Sequence, residues 1–407
     1  MTSYEKNDYS VFTVCNLAYL PKALVLAESL QKFNDVRLKI YLIDRKIDFD
    51  FDSQLAELIW IENLNIPKLY NLAFKYDITE FSTCLKPFLT LNLLKTYNKV
   101  IYLDPDICVY HDLRPILDDL SIHPIILTPH YTTPHSNDLP DSDIGMMRFG
   151  SFNLGFYAVK NSEQGIYFLN WWSDRCLRFG FFETQFGLST DQKWVSIAPC
   201  FFEDLHISFN LGYNVAFWNV HERSLSVNNE GCYVVNNKYP LIFFHFSSFD
   251  ESNPEYLSTR LFSEREKKRA DLLELSIAYK RLLFMKKIDV SLTKYGFDYM
   301  SNGEYISPTL RRAYACVLSE LPPNHDPFDS KGVVGVFARR NFLFEKDSTP
   351  YVSDSYDDMP KHKYKFSAIY FVMRVILRLI GPNKFCNFSR LLVYLSSYRQ
   401  NRGLWKI

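Results

Sequence analysis

Val100-Ile101-Tyr102-Leu103-Asp104-Pro105-Asp106-Ile107 is the stretch that decides the fold. An apolar, β-branched run ends in two carboxylates one residue apart, and Ile107-Cys108-Val109-Tyr110 follows at once. Two like charges at the tip of a buried strand repel each other and are costly to desolvate. A divalent cation offsets both penalties, and hard oxygen ligands suit Mg²⁺ or Mn²⁺. Side chains at i and i+2 point to the same side of an extended chain, so both carboxylates reach one ion. Pro105 fixes the backbone between them. Asp-Pro-Asp also makes an ordinary turn, so the surrounding pattern has to carry the argument.

Outward from this strand the first half alternates strand and helix patterns. Residues 11–15 and 38–43 read as strands, 22–33 as a helix, 58–61 as a further apolar run, and 80–97 as one helix leading into the Asp104 strand. A strand over 124–128 follows, then an aperiodic stretch over 132–149 that reads as a mobile loop, a strand over 151–160 and an aromatic-rich helix over 163–179. Residues 241–246 form a strong late strand. This interleaving predicts an α/β fold with an open, mostly parallel sheet flanked by helices. Ligands of such sheets sit at the carboxyl ends of the strands, where Asp104 and Asp106 fall.

The chain's 407 residues exceed one small core, and 47% hydrophobic and 16% aromatic residues exclude a disordered chain. The expected organisation is a catalytic domain over 1–250, a helical extension over 251–346, a polar linker over 347–360 and a tail over 361–407. The eight cysteines contain no Cys-x-x-Cys pair, which argues against a zinc site or disulfide framework and for a reducing, cytoplasmic setting. The polar first ten residues do not read as a signal peptide.

Net charge is zero, yet residues 361–407 hold ten Lys/Arg and no acid, leaving a balance of −10 on the remainder. Within this tail Ser367, Tyr370, Arg374 and Arg378 share one helical stripe, and Ile369, Met373, Ile376 and Ile380 another. Two central arginines make a poor membrane span. The pattern instead predicts an interfacial amphipathic helix on an anionic membrane surface, the alternative being a helix packed on the body. Long aliphatics interleaved with the bases argue against nucleic acid as partner.

Further motifs fit the same chemistry. Phe244-His245-Phe246-Ser247-Ser248 places an imidazole at the end of a buried strand, either a third metal ligand or a satisfied core histidine. Asp191-Gln192-Lys193-Trp194 combines groups that hydrogen-bond a sugar, or else opens a helix after Thr190. Phe152-Asn153-Leu154-Gly155-Phe156 puts a polar residue and a glycine inside an apolar strand, which suggests a ligand's close approach or a bulge. The stretch 214–223 gathers Asn219, His221 and Glu222 beside Trp218, a polar cluster or a hydrogen-bonded loop.

Taken in order, these motifs resemble the GT-A glycosyltransferases, most closely family 8 and related bacterial surface-polysaccharide transferases. The matching residues are Thr13 to Tyr19, Cys84-Leu85-Lys86-Pro87, Asp104-Pro105-Asp106, Phe152 to Gly155, Asp191-Gln192 and His245-Phe246-Ser247. The resemblance implies that Asn16 and Tyr19 line the nucleotide pocket, with Lys86, Asp104 and Ser247 completing the donor site. It implies Asp104, Asp106 and His245 as ligands of Mn²⁺ or Mg²⁺. Asn153, Asp191 and Gln192 would contact the transferred sugar, and an inverting reaction would take its base from Glu222 or His221. Two departures stand out: the Gly and Lys that follow the family's metal histidine are replaced by Ser247-Ser248-Phe249-Asp250, and Lys193 replaces the second acid of Asp-Gln-Asp.

The implied reaction moves a sugar from a nucleoside diphosphate sugar, a UDP-sugar first, to a saccharide acceptor, lipid-linked if the tail sits on the cytoplasmic face of a membrane. Retention is favoured over inversion by analogy. The rivals are a sugar nucleotidyltransferase, which would need a Gly-rich basic loop that residues 16–24 lack, and a carbohydrate-binding scaffold without catalysis.

Overall fold

Unbroken burial along the strand Lys99–Leu103 shows why this segment is central. Val100 and Tyr102 face one side of the sheet, Ile101 and Leu103 the other, and all four are buried. The computed structural model describes residues 8–49, 51, 54–134, 141–260, 269–288, 294–345, 363–395 and 402–407. The expected linker over 347–360 lies outside the described residues.

The strands of the first half are β1 (Tyr9–Cys15), β2 (Leu38–Leu42), β3 (Ala56–Trp60), β4 (Lys99–Leu103), β5 (Ile107–Val109), β6 (Ile125–Pro129) and β7 (Phe152–Lys160). A seven-stranded sheet runs in the order Leu205–Ile207, β6, β7, β4, β1, β2, β3. Every pairing in it is parallel except those of β7, which is antiparallel to both β4 and β6. The chain is therefore mixed α/β with a mostly parallel central sheet flanked by helices, as the strand–helix alternation predicts.

Helices cover both faces because both faces of β4 are apolar. Helix Leu20–Asn34 and helix Arg114–Ile122 bury Leu20, Ala23, Leu26, Ile116 and Leu120 in one cluster with Ile101 and Leu103. On the other side Tyr102 meets Phe12 at 5.0 Å and stacks on Tyr157 at 5.1 Å, and Tyr157 meets Trp172 of helix Glu163–Phe179 at 5.0 Å. Such pairs contribute roughly 0.5–1.5 kcal/mol beyond their buried area.

The expected single helix over 80–97 is two, Ile78–Cys84 and Lys86–Leu93. Pro87 lacks an N–H and its ring opposes the carbonyl four residues earlier, so the chain restarts at Lys86. The expected loop over 132–149 contains a helix, Asp141–Phe149. Its Ile144 and Met147 are exposed, so no core-facing periodicity announces it. The late strand is shorter than expected, Phe243–His245, and forms a second sheet with β5 and Val215–Ala216.

The chain forms two compact units, residues 1–67 with 78–296, and residues 68–77 with 297–407. In the second unit Arg311 is the organising residue. Its buried guanidinium donates to the carbonyls of Ala73, Phe74, Tyr76 and Phe297 and pairs with Asp298 at 2.6 Å. Phe74 packs edge-on against Tyr314 and Phe328 alongside. The tail forms helices Lys363–Ile380 and Pro382–Leu395, and Ile369, Phe371, Val372, Leu379 and Leu391 to Leu395 stay exposed on them. Among the described residues no helix is long and apolar enough to cross a membrane.

Removing the guanidinium takes a donor from four carbonyls and one carboxylate at once. Arg311→Leu is expected to lower stability by about 3–5 kcal/mol, the cost of breaking a buried pair. Urea unfolding checks this, and an unchanged midpoint would show that the second unit does not depend on Arg311.

Candidate active site

The ends of β1, β2 and β4 lie side by side, so Asn16, Asp44 and Asp104 emerge at one edge of the sheet. Asp44 accepts the Leu17 N–H at 2.6 Å and so fixes the turn from Asn16 to Tyr19. Asn16 is buried there, while Tyr19 is exposed with Lys22 over its ring at 4.3 Å.

After Leu103 the backbone keeps its sheet pairing one residue longer, since the Asp104 N–H donates to the Gly155 carbonyl at 2.8 Å. The Ile107 N–H then returns to the Asp104 carbonyl at 3.1 Å, closing a turn through Pro105. β5 next pairs antiparallel with Phe243–His245, and Ile107 stands opposite His245. The Phe246 N–H donates to the Asp106 carbonyl at 2.9 Å. Backbone register, rather than side-chain chance, thus brings His245 beside Asp106.

Asp104, Asp106 and His245 each offer one ligand atom within 4.8 Å of the others. His245 Nε2 lies 3.0 Å from Asp106 Oδ1 and 3.8 Å from Asp104 Oδ2. Two carboxylate oxygens and one imidazole nitrogen, converging at the end of a strand, are a donor set that suits Mn²⁺ or Mg²⁺. Burial raises the Asp106 pKa, but His245, together with Lys22 and a backbone hydrogen bond, outweighs it and holds the group below the usual carboxylate range.

Lys86 ties this group to a third acid. Its ammonium is only 3% exposed and is held 3.2 Å from Asp104 Oδ1, 3.3 Å from Asp191 Oδ2 and 3.0 Å from the Leu154 carbonyl. All three of its N–H donors therefore have acceptors. Burial alone would lower its pKa, yet Asp104 and Asp191 raise it above the ordinary lysine value. Burial pushes the Asp191 carboxyl up, with Lys86 opposing and Asp104 adding to the rise. The Tyr102 hydroxyl donates to Asp104 Oδ1 at 2.5 Å, a contact the i, i+2 spacing in Tyr102-Leu103-Asp104 would have indicated.

The neighbouring sugar-site candidates are partly engaged within the protein. Asn153 Oδ1 accepts the Gly155 N–H and an Asn214 amide hydrogen, at 3.1 and 3.0 Å. Gln192 accepts from the Leu154 N–H at 3.4 Å and donates to the Phe149 carbonyl at 3.1 Å. The group approaching Gly155 is the His245 ring: a Cβ there would lie 2.4 Å from its Cε1. The carbonyl of Ser247 accepts the Ser258 hydroxyl at 3.0 Å.

Glu222 and His221 are placed against the segment 132–133. The Glu222 carboxylate accepts both backbone N–H groups of Thr132 and Thr133 and the Thr132 hydroxyl, at 2.6–3.0 Å, and faces Arg223 at 3.4 Å. His221 Nε2 lies 3.1 Å from the Thr133 carbonyl. Burial raises the Glu222 pKa, but the Thr132 N–H and Arg223 outweigh it and bring it below the usual glutamate value. His130, half-buried nearby, is pushed down to about 4, chiefly by burial.

Residues 10–163 match glycosyl transferase family 8. The chain resembles the GT-A glycosyltransferases of that family. The match supports a glycosyltransferase and spans β1 to β7, with Asn16, Lys86, Asp104, Asp106 and Asn153 inside it. Two uncharacterized proteins of Bacillus subtilis strain 168 are similar: YfnD, 23% identical over 58% of this chain and 76% of its own length, and YfnF, 25% identical over 58% and 80%. Among solved structures the glycosyltransferase GlyE of Streptococcus pneumoniae TIGR4 is 20% identical with a TM-score of 0.39, over 68% of this chain and 63% of that one. The galactosyltransferase LgtC, solved with donor and acceptor sugar analogs, is 13% identical with a TM-score of 0.40, over 69% and 98%.

Because the Glu222 pKa is depressed in the folded chain, its contribution is fully present above the unfolded value, near 4.3, and is lost as pH falls through the folded value. Glu222→Gln is expected to destabilise by about 1.5–3 kcal/mol at pH 7, the worth of hydrogen bonds to a charged group. Thermal unfolding across pH checks the sign: the gap to the parent should narrow below about pH 4, the unfolded glutamate range. A gap that widens on acidification would contradict this reading.

Proposed function

We propose that this chain transfers a sugar from a nucleoside diphosphate sugar, a UDP-sugar in the first instance, to a saccharide acceptor in cell-surface polysaccharide biosynthesis. The observation that carries the reading is the convergence of Asp104, Asp106 and His245 at a strand end, joined through Lys86 to Asp191. Asp104, Asp106 and His245 would hold a divalent ion, which neutralises the charge developing on a leaving diphosphate. Asn16 and Tyr19 would take the nucleotide and Ser247 a donor contact. Lys86 acts from beneath, holding Asp104 and Asp191 in place and offsetting their charge. Asn153, Asp191 and Gln192 would orient the transferred sugar.

Retention is favoured because the two candidate bases for inversion, Glu222 and His221, are engaged with residues 132–133. A retaining transfer needs no dedicated base beyond the departing phosphate.

The tail supports a lipid-linked acceptor on the cytoplasmic face of a membrane. Residues 361–407 carry ten bases and no acid, and large apolar residues stand exposed on helix Lys363–Ile380. Basic residues near an anionic surface contribute about 1 kcal/mol each, and apolar side chains enter the headgroup boundary.

Differential scanning fluorimetry against nucleoside diphosphates, with and without Mn²⁺, tests the donor site. One nucleotide should raise the melting temperature only with Mn²⁺, and Asp106→Ala should abolish the shift. A folded protein that responds to no nucleotide would overturn the reading.

Sedimentation with vesicles tests the tail separately. Binding is expected to vesicles containing phosphatidylglycerol, to weaken with salt, and to fall at least tenfold in Arg374→Glu/Arg378→Glu. Equal binding to neutral vesicles would reject the electrostatic part of the proposal.

A further inference from the structure

A chain of hydrogen bonds that starts at an unambiguous donor runs from β7 to the metal histidine. The Gly155 backbone N–H can only donate, and it donates to a side-chain atom of Asn153 at 3.1 Å, so that atom is the carbonyl oxygen Oδ1. The same oxygen lies 3.0 Å from the Asn214 amide and, being an acceptor, requires the donor end, Nδ2, to face it. Nδ2 also reaches Thr128 Oγ1 at 3.2 Å, which uses its second hydrogen. The remaining amide atom, Asn214 Oδ1, therefore points at His245 Nδ1, 3.3 Å away. Reversing the amide would set two carbonyl oxygens against each other, so the direction is fixed by the network.

An acceptor facing Nδ1 holds a proton on Nδ1, so an ion that displaces the proton Nε2 shares with Asp106 meets the Nε2 lone pair. Nε2 is the nitrogen that lies 3.0 Å from Asp106 and faces Asp104. Asn214 is itself held rigidly. It is buried, with φ +50, a left-handed conformation that asparagine tolerates better than most residues. Its carbonyl accepts the Asn219 amide at 3.0 Å, and Asn219 Oδ1 accepts the Ala216 N–H at 2.9 Å. Trp218 closes the other side of the imidazole, edge-on at 5.1 Å.

We propose that Asn214 is a positioning residue which, through Asn153 and Thr128, fixes the His245 ring in the Nδ1–H tautomer with Nε2 directed at the ion held by Asp104 and Asp106. This rests on the metal-site reading above. Groups that orient a metal-bound histidine typically change metal affinity by about 10–100-fold when removed.

The test uses the full chain, Mn²⁺ alone, and the paramagnetic resonance signal of free Mn²⁺. Asn214→Gly keeps the left-handed backbone accessible and deletes the amide. Asn214→Asp keeps an acceptor toward Nδ1 but sets its second oxygen against Asn153 Oδ1, where the amide's donor stood. Mn²⁺ affinity should fall about 10–100-fold in the glycine variant and recover only part of that loss in the aspartate variant. Nitrogen-15 shifts of the His245 ring with Mg²⁺ bound should show a protonated Nδ1 in the parent and in Asn214→Asp. Parent and Asn214→Gly binding Mn²⁺ equally would overturn the positioning role and leave the metal site standing. A parent that binds no Mn²⁺ would remove both. If Asn214→Gly does not fold, the parent's ring spectrum decides: a proton on Nε2 with Mg²⁺ bound overturns the proposal.

Discussion

Two buried carboxylates, Asp106 and Asp191, and a partly exposed one, Asp104, gather around one buried ammonium, that of Lys86. This imbalance is the constraint on which the rest of the first unit depends. Each buried carboxylate costs several kcal/mol unless compensated. Lys86 neutralises part of the charge and spends all three of its donors doing so, so it has none to spare for a substrate without releasing an acid. The residual negative charge sits on the Asp104–Asp106 side, where His245 stands. Under the metal-site reading proposed above, a divalent ion would offset this charge.

The parts of this site legible in the sequence are those where a polar group interrupts an apolar run. Asp104 follows the end of β4, Asp106 immediately precedes β5 and His245 ends its own strand, and such interruptions of apolar runs have few physical excuses. Asn153 and Gly155 were legible for the same reason, but the approaching group they accommodate is His245 rather than a ligand alone. Glu222 and His221 were visible only as polarity near an aromatic. Their work, pinning residues 132–133, depends on a contact about 90 residues back in the chain that no local pattern encodes. The helix Asp141–Phe149 and the restart at Lys86 show the complementary failure. An exposed helix has no buried face to set a period, and a proline inside an apolar run is easily read through.

Asn214 shows how a residue's meaning can reside in its neighbours. In sequence it was one member of a polar stretch. In the fold its importance comes from Gly155, whose missing side chain admits the imidazole and whose N–H sets the direction of every later hydrogen bond. A glycine and two asparagines, none of them metal ligands, thereby determine which nitrogen of His245 faces the acids.

The departures from the family pattern fall just beyond this rigid core. His245 is held by the ladder between β5 and Phe243–His245, and Asp106 joins that ladder through the Phe246 N–H. The chain then leaves the sheet into a turn: Ser248 is left-handed at φ +56, and Asp250 accepts from the Ser252 N–H at 2.8 Å and the Asn253 amide at 2.9 Å. His245 and Asp106 are thus one backbone rung apart while the residues that follow are set by local turn chemistry. Sequence can change after His245 without moving the histidine. That separation is how Ser247-Ser248-Phe249-Asp250 can stand where the resemblance leads one to expect Gly and Lys while Asp104, Asp106 and His245 still converge.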